Sequence, residues 1–454
     1  MTHNKFRYLG VFAMAAGLAG AFVLFLGGPA GRRAFADGQK KDPLVQNAIN
    51  LIQKGRNTFR FNTFGDQAFW GGQLQLQQAI AQLSPNSALG LGLKVDVNAL
   101  PPPLIEQLRK GLVKFNDPAV TLELLHLNAI VGVTGFFSSP NTLQSVGIQC
   151  ALCHSTVDDS LLPGIGHRLD GWPNRDLRIG DIIAAAPNLT PIVNLLKIVN
   201  PSVTVGDVQA VLHGWGPGKF DAELFLDGKT LNPATVGLPP NGVAATLIPP
   251  AFGLGGVTLH TWTGWASIPH WNAFVAILEM HGTGRFWDPR LDNASQFPIA
   301  AAQGFGHLPV IDPNSDLVTK ELAALQYFQL SIPSPQPPPG SFDPQAAARG
   351  DQLFSGKARC NNCHVEPLWT DAGWNAHDPS EICIDSFQSD RAPDHIYRTA
   401  PIGAIFTHTK GGFYHDGRFP TLMDVVNHYN SCMSLGLTQS EESDLIEYLK
   451  SLTF

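Results

Sequence analysis

Two short motifs of the same type constrain this chain more than any other feature. Residues 149–154 read QCALCH and residues 359–364 read RCNNCH, so each holds Cys-x-x-Cys-His. Paired thiols at this spacing can form a disulfide, bind a metal or be alkylated. The adjacent histidine is typical of covalent haem attachment, in which the thiols bond to the haem vinyl groups and the histidine binds the iron. The motifs therefore predict two c-type haems, on Cys150, Cys153 and His154 and on Cys360, Cys363 and His364.

Two other uses of the cysteines explain less of the pattern. A zinc site would take both thiol pairs as one four-thiolate set, and nothing would then require the two histidines. A thioredoxin-like dithiol would be expected once, near a βαβ pattern, and no such pattern is evident. The remaining cysteines, Cys383 and Cys432, are open to two interpretations: a disulfide in an oxidising compartment, or two separate buried thiols.

The N-terminus has the pattern of a secretory signal. Lys5 and Arg7 precede an apolar run over residues 9–28, and the small-residue site Ala34-x-Ala36 follows. This predicts a signal peptide over 1–36, and hence a periplasmic or secreted protein, where c-type haem is attached. The alternative is an uncleaved anchor, since about 20 apolar residues can span a bilayer. No later stretch is apolar enough to do so.

The charge balance bears on the kind of partner. The formal net charge is −7, with 30 basic and 37 acidic residues. Such a chain lacks the basic surface that nucleic-acid binding requires. A modestly acidic surface is compatible with a basic redox partner.

A proline-rich stretch divides the chain. SIPSPQPPPG, from residue 331, cannot continue a helix or a central strand, so 331–341 is predicted to be a stiff linker between units 37–330 and 342–454. In the second unit, Asp343 and Pro344 predict a helix start, and Thr438 with Glu441 predicts a capping box on the last helix. A helix that ends at Cys-x-x-Cys-His and a C-terminal helix that crosses it resemble a class I cytochrome c. Gly350 would allow a close crossing.

The first unit is less regular. Residues 121–135 carry a helical apolar stripe that leads towards the first motif, whereas 231–257 are rich in Pro and Gly and should be loop. The expected fold class is mainly α, with two cytochrome c-like haem domains, long loops, an enlarged N-terminal part and at most a short hairpin.

Residues 409–430, TKGGFYHDGRFPTLMDVVNHYN, resemble the C-terminal signature of the bacterial di-haem cytochrome c peroxidase and MauG family. The resemblance gives His415 a place in the catalytic region. It also implies that Tyr429, 14 positions later, binds the second iron as in the MauG branch. Leu422, Val425 and Tyr429 share one helical face, so the position is compatible with that role. Met423 and Met433, as ordinary cytochrome c ligands, and His428 remain alternatives, as does a plain core tyrosine.

A second segment contains the residues to which the family resemblance assigns electron transfer and acid–base chemistry. HTWTGWASIPHWNAFVAILEM, residues 260–280, resembles the family's Trp-Asp-Gly segment and Glu-Met pair. The resemblance makes Trp262 a bridge between the haems and Glu279 an acid–base group at the first iron. Thr263 replaces the usual Asp, and the Trp-to-Glu spacing is short. The alternatives without a function are that Trp262 is a core tryptophan and that Glu279 is a solvated helix carboxylate.

The long stretch between His154 and Trp262 is similar to the enlarged N-terminal part of di-haem rubber oxygenases. His167 and His213 lie in it and are candidate ligands of the first iron, although a lone histidine is more often structural. Family members often bind Ca²⁺ between the haem domains through backbone carbonyls, which leave no trace in the sequence.

These observations favour an exported di-haem oxidoreductase. The iron of its first haem would have a free position for the oxidant, and the iron of its second haem would not. Its expected reaction is reduction of H₂O₂ with electrons from a small cytochrome or copper protein. The alternatives are an O₂-dependent dioxygenase of the rubber-oxygenase type and a di-haem electron carrier without catalysis.

Overall fold

A computed structural model describes residues 42–139, 142–231, 244–310, 312–371, 373 and 376–454. The predicted signal peptide, 1–36, lies outside the described residues. Within them the chain is mainly α-helical, as expected. No helix in these ranges is both long and apolar enough to cross a membrane.

The helices are mostly short and are joined by long connections. In chain order they are α1 Pro43–Phe61, α2 Leu76–Ile80, α3 Pro85–Gly90, α4 Pro102–Arg109, α5 Pro118–His126, α6 Ala151–His154, α7 Ile179–Ala184, α8 Thr190–Leu196, α9 Val205–Gly214, α10 Leu224–Asp227, α11 Ile268–Phe274, α12 Pro298–Gln303, α13 Leu322–Ser331, α14 Pro344–Ser355, α15 Leu422–Cys432 and α16 Gln439–Ser451. Two π-helical turns also occur, Ala68–Gln73 and Val275–Glu279.

The strands form only small two-stranded sheets. They are β1 Val95–Asp96, β2 Val133–Ser139, β3 Thr142–Ile148, β4 Ser155–Val157, β5 Ile165–Gly166, β6 Arg168–Asp170, β7 Lys219–Phe220, β8 Thr246–Leu247, β9 Phe286–Trp287 and β10 His307–Leu308. The pairs are β1–β5, which is parallel, and the antiparallel β2–β3, β4–β6, β7–β8 and β9–β10. The β2–β3 hairpin delivers the chain directly to the first Cys-x-x-Cys-His motif.

The predicted helix over 121–135 is wrong in its second half. Helix α5 ends at His126, and β2 begins at Val133. Asn128 and Gly132 both take positive φ, which no helix can accommodate. A Cβ on Gly132 would lie 2.1 Å from Cα of Leu152, so this turn packs directly against the first motif. The β-branched and aromatic residues that follow then favour a strand.

The loop predicted over 231–257 is described in part. Residues 232–243 lie outside the described ranges, and the remainder carries only the short strand β8. The stretch 332–343, which contains nearly all of the predicted linker, has no helix or strand.

The C-terminal unit is built around the crossing of α14 and α16. Asp343 caps α14 and Pro344 is its first residue, and Thr438 with Glu441 forms the predicted capping box on α16. A Cβ on Gly350 would lie 2.2 Å from the Asp444 carbonyl oxygen, which confirms that glycine permits the crossing. Around it lies a small core that contains Phe354, Leu445 and Leu452.

Cys383 and Cys432 form a disulfide, so the first of the two interpretations holds. The bond joins the loop that follows the second Cys-x-x-Cys-His motif to the last residue of α15. The position of α15 is thereby fixed covalently relative to that loop.

Candidate haem-binding sites

The first motif lies on a single short turn of helix. Cys150 is the residue before α6, and Cys153 and His154 are its last two residues. All three side chains are half-buried, and both thiols are free. Burial raises the pKa of each thiol to about 12 and lowers that of His154 to about 4. Two neutral thiols and a neutral imidazole therefore lie together on one turn of helix.

The second motif repeats this arrangement in the C-terminal unit. Cys360 and Cys363 are free and half-buried, and burial raises the pKa of Cys360 to about 11. The Nδ1 atom of His364 donates a hydrogen bond to the Trp369 carbonyl oxygen, at 3.0 Å. The tautomer is thereby fixed, and Nε2 is left with its lone pair available for a metal.

The geometry argues against the zinc alternative. Among the described residues, the single group of side chains close enough to share a metal ion comprises Cys363, Asp371 and His377. The other motif thiols are not part of it, so the four cysteines do not converge as a four-thiolate site requires. Both ring nitrogens of His377 are already engaged, by Asp371 at 2.9 Å and Glu381 at 3.0 Å.

The histidines of the two motifs are buried enough to shift their pKa values but keep some exposed surface. His154 and His364 lie so deep that burial dominates their pKa values, and yet neither is fully enclosed by protein atoms. Neither imidazole is packed on every side, so both remain accessible to a bound group.

Two arginines support the same interpretation. Arg175 has Nε and Nη1 buried without a hydrogen-bond partner among the described residues, and Arg398 has Nη1 in the same state. Burial lowers the pKa of each to about 10. Arg175 donates to Nε2 of His408 at 3.0 Å, and Arg398 donates to the Thr261 carbonyl oxygen, so neither contacts a carboxylate through these bonds. Haem carries two propionate carboxylates, which fit such unpaired guanidinium groups. The residues present therefore fit haem.

Tyr429 lies beside the thiols of the second motif. Burial raises its pKa, and the nearby Cys360 and Cys363 contribute to the rise. Its ring centre is 6.2 Å from that of Tyr414. Helix α15, which begins with a capping box at Thr421 and Asp424, holds it there.

The alternatives to Tyr429 are placed less favourably. Met433 is 36% exposed and follows the end of α15. The Nε2 atom of His428 donates to the Ile382 carbonyl oxygen at 2.7 Å, so it has no free lone pair there. Met423 is half-buried in the first turn of α15.

Trp262 and His415 are both hydrogen-bonded to the backbone of Leu247 in β8. The indole Nε1 of Trp262 donates to the Leu247 carbonyl oxygen at 2.8 Å, and the Leu247 amide donates to the His415 carbonyl oxygen at 2.6 Å. His415 is buried and stacks on Tyr397 with ring centres 5.1 Å apart; burial lowers its pKa to about 4. Strand β8 thus connects the tryptophan segment of the first unit to the His-Asp-Gly turn of the second.

Glu279 lies at the end of a π-helical turn, next to the first motif. Burial raises its pKa to about 8, the charge of Glu223 adds to the rise, and Glu279 in turn raises the pKa of Cys153. It is therefore not a solvated helix carboxylate. The turn is anchored by Trp70, whose Nε1 donates to the Met280 carbonyl oxygen at 3.0 Å. Turns of this type are frequent at functional sites.

His167 and His213 lie at the surface, and each is hydrogen-bonded to a side chain outside the motifs. Nδ1 of His167 is 3.0 Å from Oδ1 of Asn98, and Nδ1 of His213 is 2.6 Å from Oδ1 of Asp181. Both side chains are exposed, so their candidacy as iron ligands is not supported.

Sequence reasoning missed several residues of this region. Asp66 is fully buried, its Oδ1 has no hydrogen-bond partner among the described residues, and burial raises its pKa to about 8. It also raises the pKa of Cys150. Arg175, Arg398 and Glu223 were likewise not singled out, because a lone charged residue in a loop-rich sequence gives no sign of burial.

Comparison with known proteins adds little to this geometry. No protein-family model matches the chain, and no curated protein matches it. Seven chains of solved structures do match. One is a MauG-like protein associated with microbial copper homeostasis, which is 20% identical over 52% of this chain and 80% of its own length, with a TM-score of 0.31. A TM-score this low does not establish a common fold.

Proposed function

We propose that this chain is an exported di-haem c-type oxidoreductase that reduces hydrogen peroxide with electrons from a small cytochrome or copper protein. Cys150, Cys153 and His154 would hold the first haem, and Cys360, Cys363 and His364 the second. The observation that carries the proposal is Glu279, a half-buried carboxyl with a raised pKa whose charge acts on Cys153 of the first motif.

The bound haems would supply one iron that accepts the oxidant and one that passes on electrons. Everything else is done by the protein. Glu279 would take a proton from the near oxygen of H₂O₂ and return it to the far oxygen as the O–O bond breaks. A carboxyl with a pKa of about 8 can do both near neutral pH, since both of its protonation states are accessible there.

The path between the two haem sites would run through protein. Trp262 is hydrogen-bonded to the same strand residue as the His415 turn, so it is a suitable bridge for electrons. Tyr429 would bind the iron of the second haem. Arg175 and Arg398 would pair with propionates, which relieves the cost of burying unpaired guanidinium groups.

The surroundings of the first motif favour peroxide over O₂ chemistry. An oxygenase acting on an apolar substrate should have a dry, apolar pocket without a working acid. Here two carboxyls, the fully buried Asp66 and the half-buried Glu279, each act electrostatically on a thiol of the motif. A pure electron carrier would have no use for either.

The test begins with the intact chain, produced in a host that matures c-type cytochromes. Denaturing mass spectrometry should show the mature protein plus two haem masses. Cyanide should bind one haem, and H₂O₂ should be consumed when a reduced small cytochrome is added. A haem-free chain would refute the proposal, two closed irons would identify a carrier, and O₂ uptake with an apolar substrate but no peroxide turnover would identify a dioxygenase.

A further inference from the structure

Helix α15, which contains Tyr429, is attached at two points to the loop that contains Ile382 and Cys383. Cys432 forms the disulfide with Cys383, and Nε2 of His428 donates to the Ile382 carbonyl oxygen at 2.7 Å. Because His428 and Cys432 are at positions i and i+4, they lie on one face of the helix in successive turns. Two consecutive loop residues therefore hold the C-terminal half of α15.

The start of the same loop lies against the second motif. The segment 377–383 is called the clamp loop below. The potential ligand atoms of Cys363, Asp371 and His377 all lie within 4.8 Å of one another. His377 is also hydrogen-bonded to Asp371 at 2.9 Å and to Glu381 at 3.0 Å, which fixes the shape of the loop. The clamp loop thus contacts a haem-attachment cysteine at its start and α15 at its end.

Tyr429 depends on these attachments because α15 is otherwise held weakly. Val426 is the one residue of this helix that is buried. Tyr429 is half-buried and packs against the small core of the C-terminal unit, as Cys360 also does. A ligand side chain must be held to within about 0.5 Å of its productive position, which a helix with so little buried surface does not ensure by packing alone.

The disulfide is accessible to chemical attack. Cys383 is exposed and Cys432 is half-buried. It is the one disulfide in the part of the chain that the structure describes. Once bonded to haem, the motif cysteines would be thioethers, which a dithiol does not cleave. A dithiol can therefore act on the Cys383–Cys432 bond selectively.

We infer that the Cys383–Cys432 disulfide and His428 position Tyr429 on the iron of the second haem, so that reduction of the disulfide opens that iron to other ligands. The inference rests on the proposed function, which assigns Tyr429 to that iron. In the chemical step the Cys383–Cys432 bond breaks and its two sulfurs take up two electrons and two protons to become thiols. A dithiol supplies both and is itself oxidised to a disulfide. The ligand of the second haem thereby follows the thiol–disulfide balance of the compartment.

The test is cyanide binding to the haem-loaded protein, since cyanide competes with Tyr429 for the iron. The wild-type protein should bind cyanide at the first haem alone. After reduction with a dithiol, alkylation of Cys383 and Cys432 and reoxidation of the irons, the cyanide affinity of the second haem should rise by at least about tenfold. The double variant Cys383→Ser, Cys432→Ser should behave in the same way. His428→Phe keeps a ring but loses one hydrogen bond, so it should raise this affinity by about threefold.

Gly350→Ala is the matched control, because it perturbs the same unit away from the clamp loop. A Cβ on Gly350 would lie 2.2 Å from the Asp444 carbonyl oxygen. This variant should be less stable but should leave the cyanide affinity of the second haem unchanged. The wild-type protein gives a second readout that needs no substitution. With the irons reoxidised, the spectrum of the second haem should differ after dithiol treatment and return when the disulfide re-forms.

The outcomes separate this inference from the proposed function. An unchanged cyanide affinity after complete reduction and alkylation would refute the positioning role and leave the proposed function intact. An equal rise in Gly350→Ala would also refute it, because general loosening would then explain the effect. If Tyr429→Phe leaves the spectrum of the second haem unchanged, the inference fails together with the assignment of Tyr429. A protein without peroxide turnover whose second haem still responds to the disulfide would refute the proposed reaction and support the positioning role.

Discussion

Replacing Glu279 with glutamine tests the assignment of chemistry to a single side chain. The substitution keeps size and hydrogen bonding but removes the ability to accept and return a proton. Burial and the charge of Glu223 raise the pKa of Glu279 to about 8. The carboxylate is the form that accepts the first proton, so peroxide turnover in the wild-type protein should rise with pH and level off above about pH 8.

The expected size of the effect follows from this pKa. At pH 7 roughly one tenth of a group with a pKa of 8 is ionised, so the wild type works at about a tenth of its plateau. General acid–base assistance is worth about 10²–10⁴-fold at the plateau. Glu279→Gln should therefore reduce kcat/KM for peroxide by at least about tenfold at pH 7 and by at least about 100-fold at pH 9.

The assay is steady-state oxidation of a reduced small cytochrome at a series of pH values, with haem content and cyanide binding as checks. Haem content should be unchanged in the variant, and the rise with pH below 8 should disappear. Full activity in Glu279→Gln would exclude Glu279 as the acid–base group of peroxide reduction. Asp66→Asn would then be the variant to examine, because Asp66 is a fully buried carboxyl whose charge acts on Cys150 of the first motif.

Three further predictions concern the C-terminal unit. Tyr429→Phe removes only the hydroxyl group, so it should change the spectrum and potential of the second haem alone; an unchanged spectrum, together with an altered one in Met433→Leu, would assign the iron to methionine instead. Replacing Cys383 and Cys432 with alanine opens a loop of 49 residues, which should lower the free energy of unfolding by about 2–4 kcal/mol, as urea denaturation would measure. Gly350→Ala places a Cβ 2.2 Å from the Asp444 carbonyl oxygen and should cost about 1–3 kcal/mol despite the better helix propensity of alanine. The matched control is Gly214→Ala in α9, where a Cβ would meet nothing within 4 Å and stability should be unchanged or improved.

Features formed by residues that lie close together in the sequence could be predicted from it. The two Cys-x-x-Cys-His motifs place their thiols and imidazole within one turn of chain whatever surrounds them. The caps at Asp343 and Thr438 arise from side chains that bond to backbone groups two or three residues away. The part of Gly350 was expected from the resemblance to a class I cytochrome c, in which two such helices cross, and the contact with Asp444 confirms it.

Features that depend on distant neighbours were decided by the tertiary structure alone. Residues 121–135 have a helical pattern, but the helix ends at His126, Asn128 takes a positive φ, and Gly132 then turns tightly over Leu152. His167 and His213 have the same chemistry as a haem ligand, yet both point to solvent. Nothing in the sequence indicates that the charge of Glu279 acts on Cys153, or that the charge of Asp66 acts on Cys150. The ionisation of a carboxyl is set by its burial and by the charges within a few ångströms of it, and the folded chain assembles those from segments far apart in sequence.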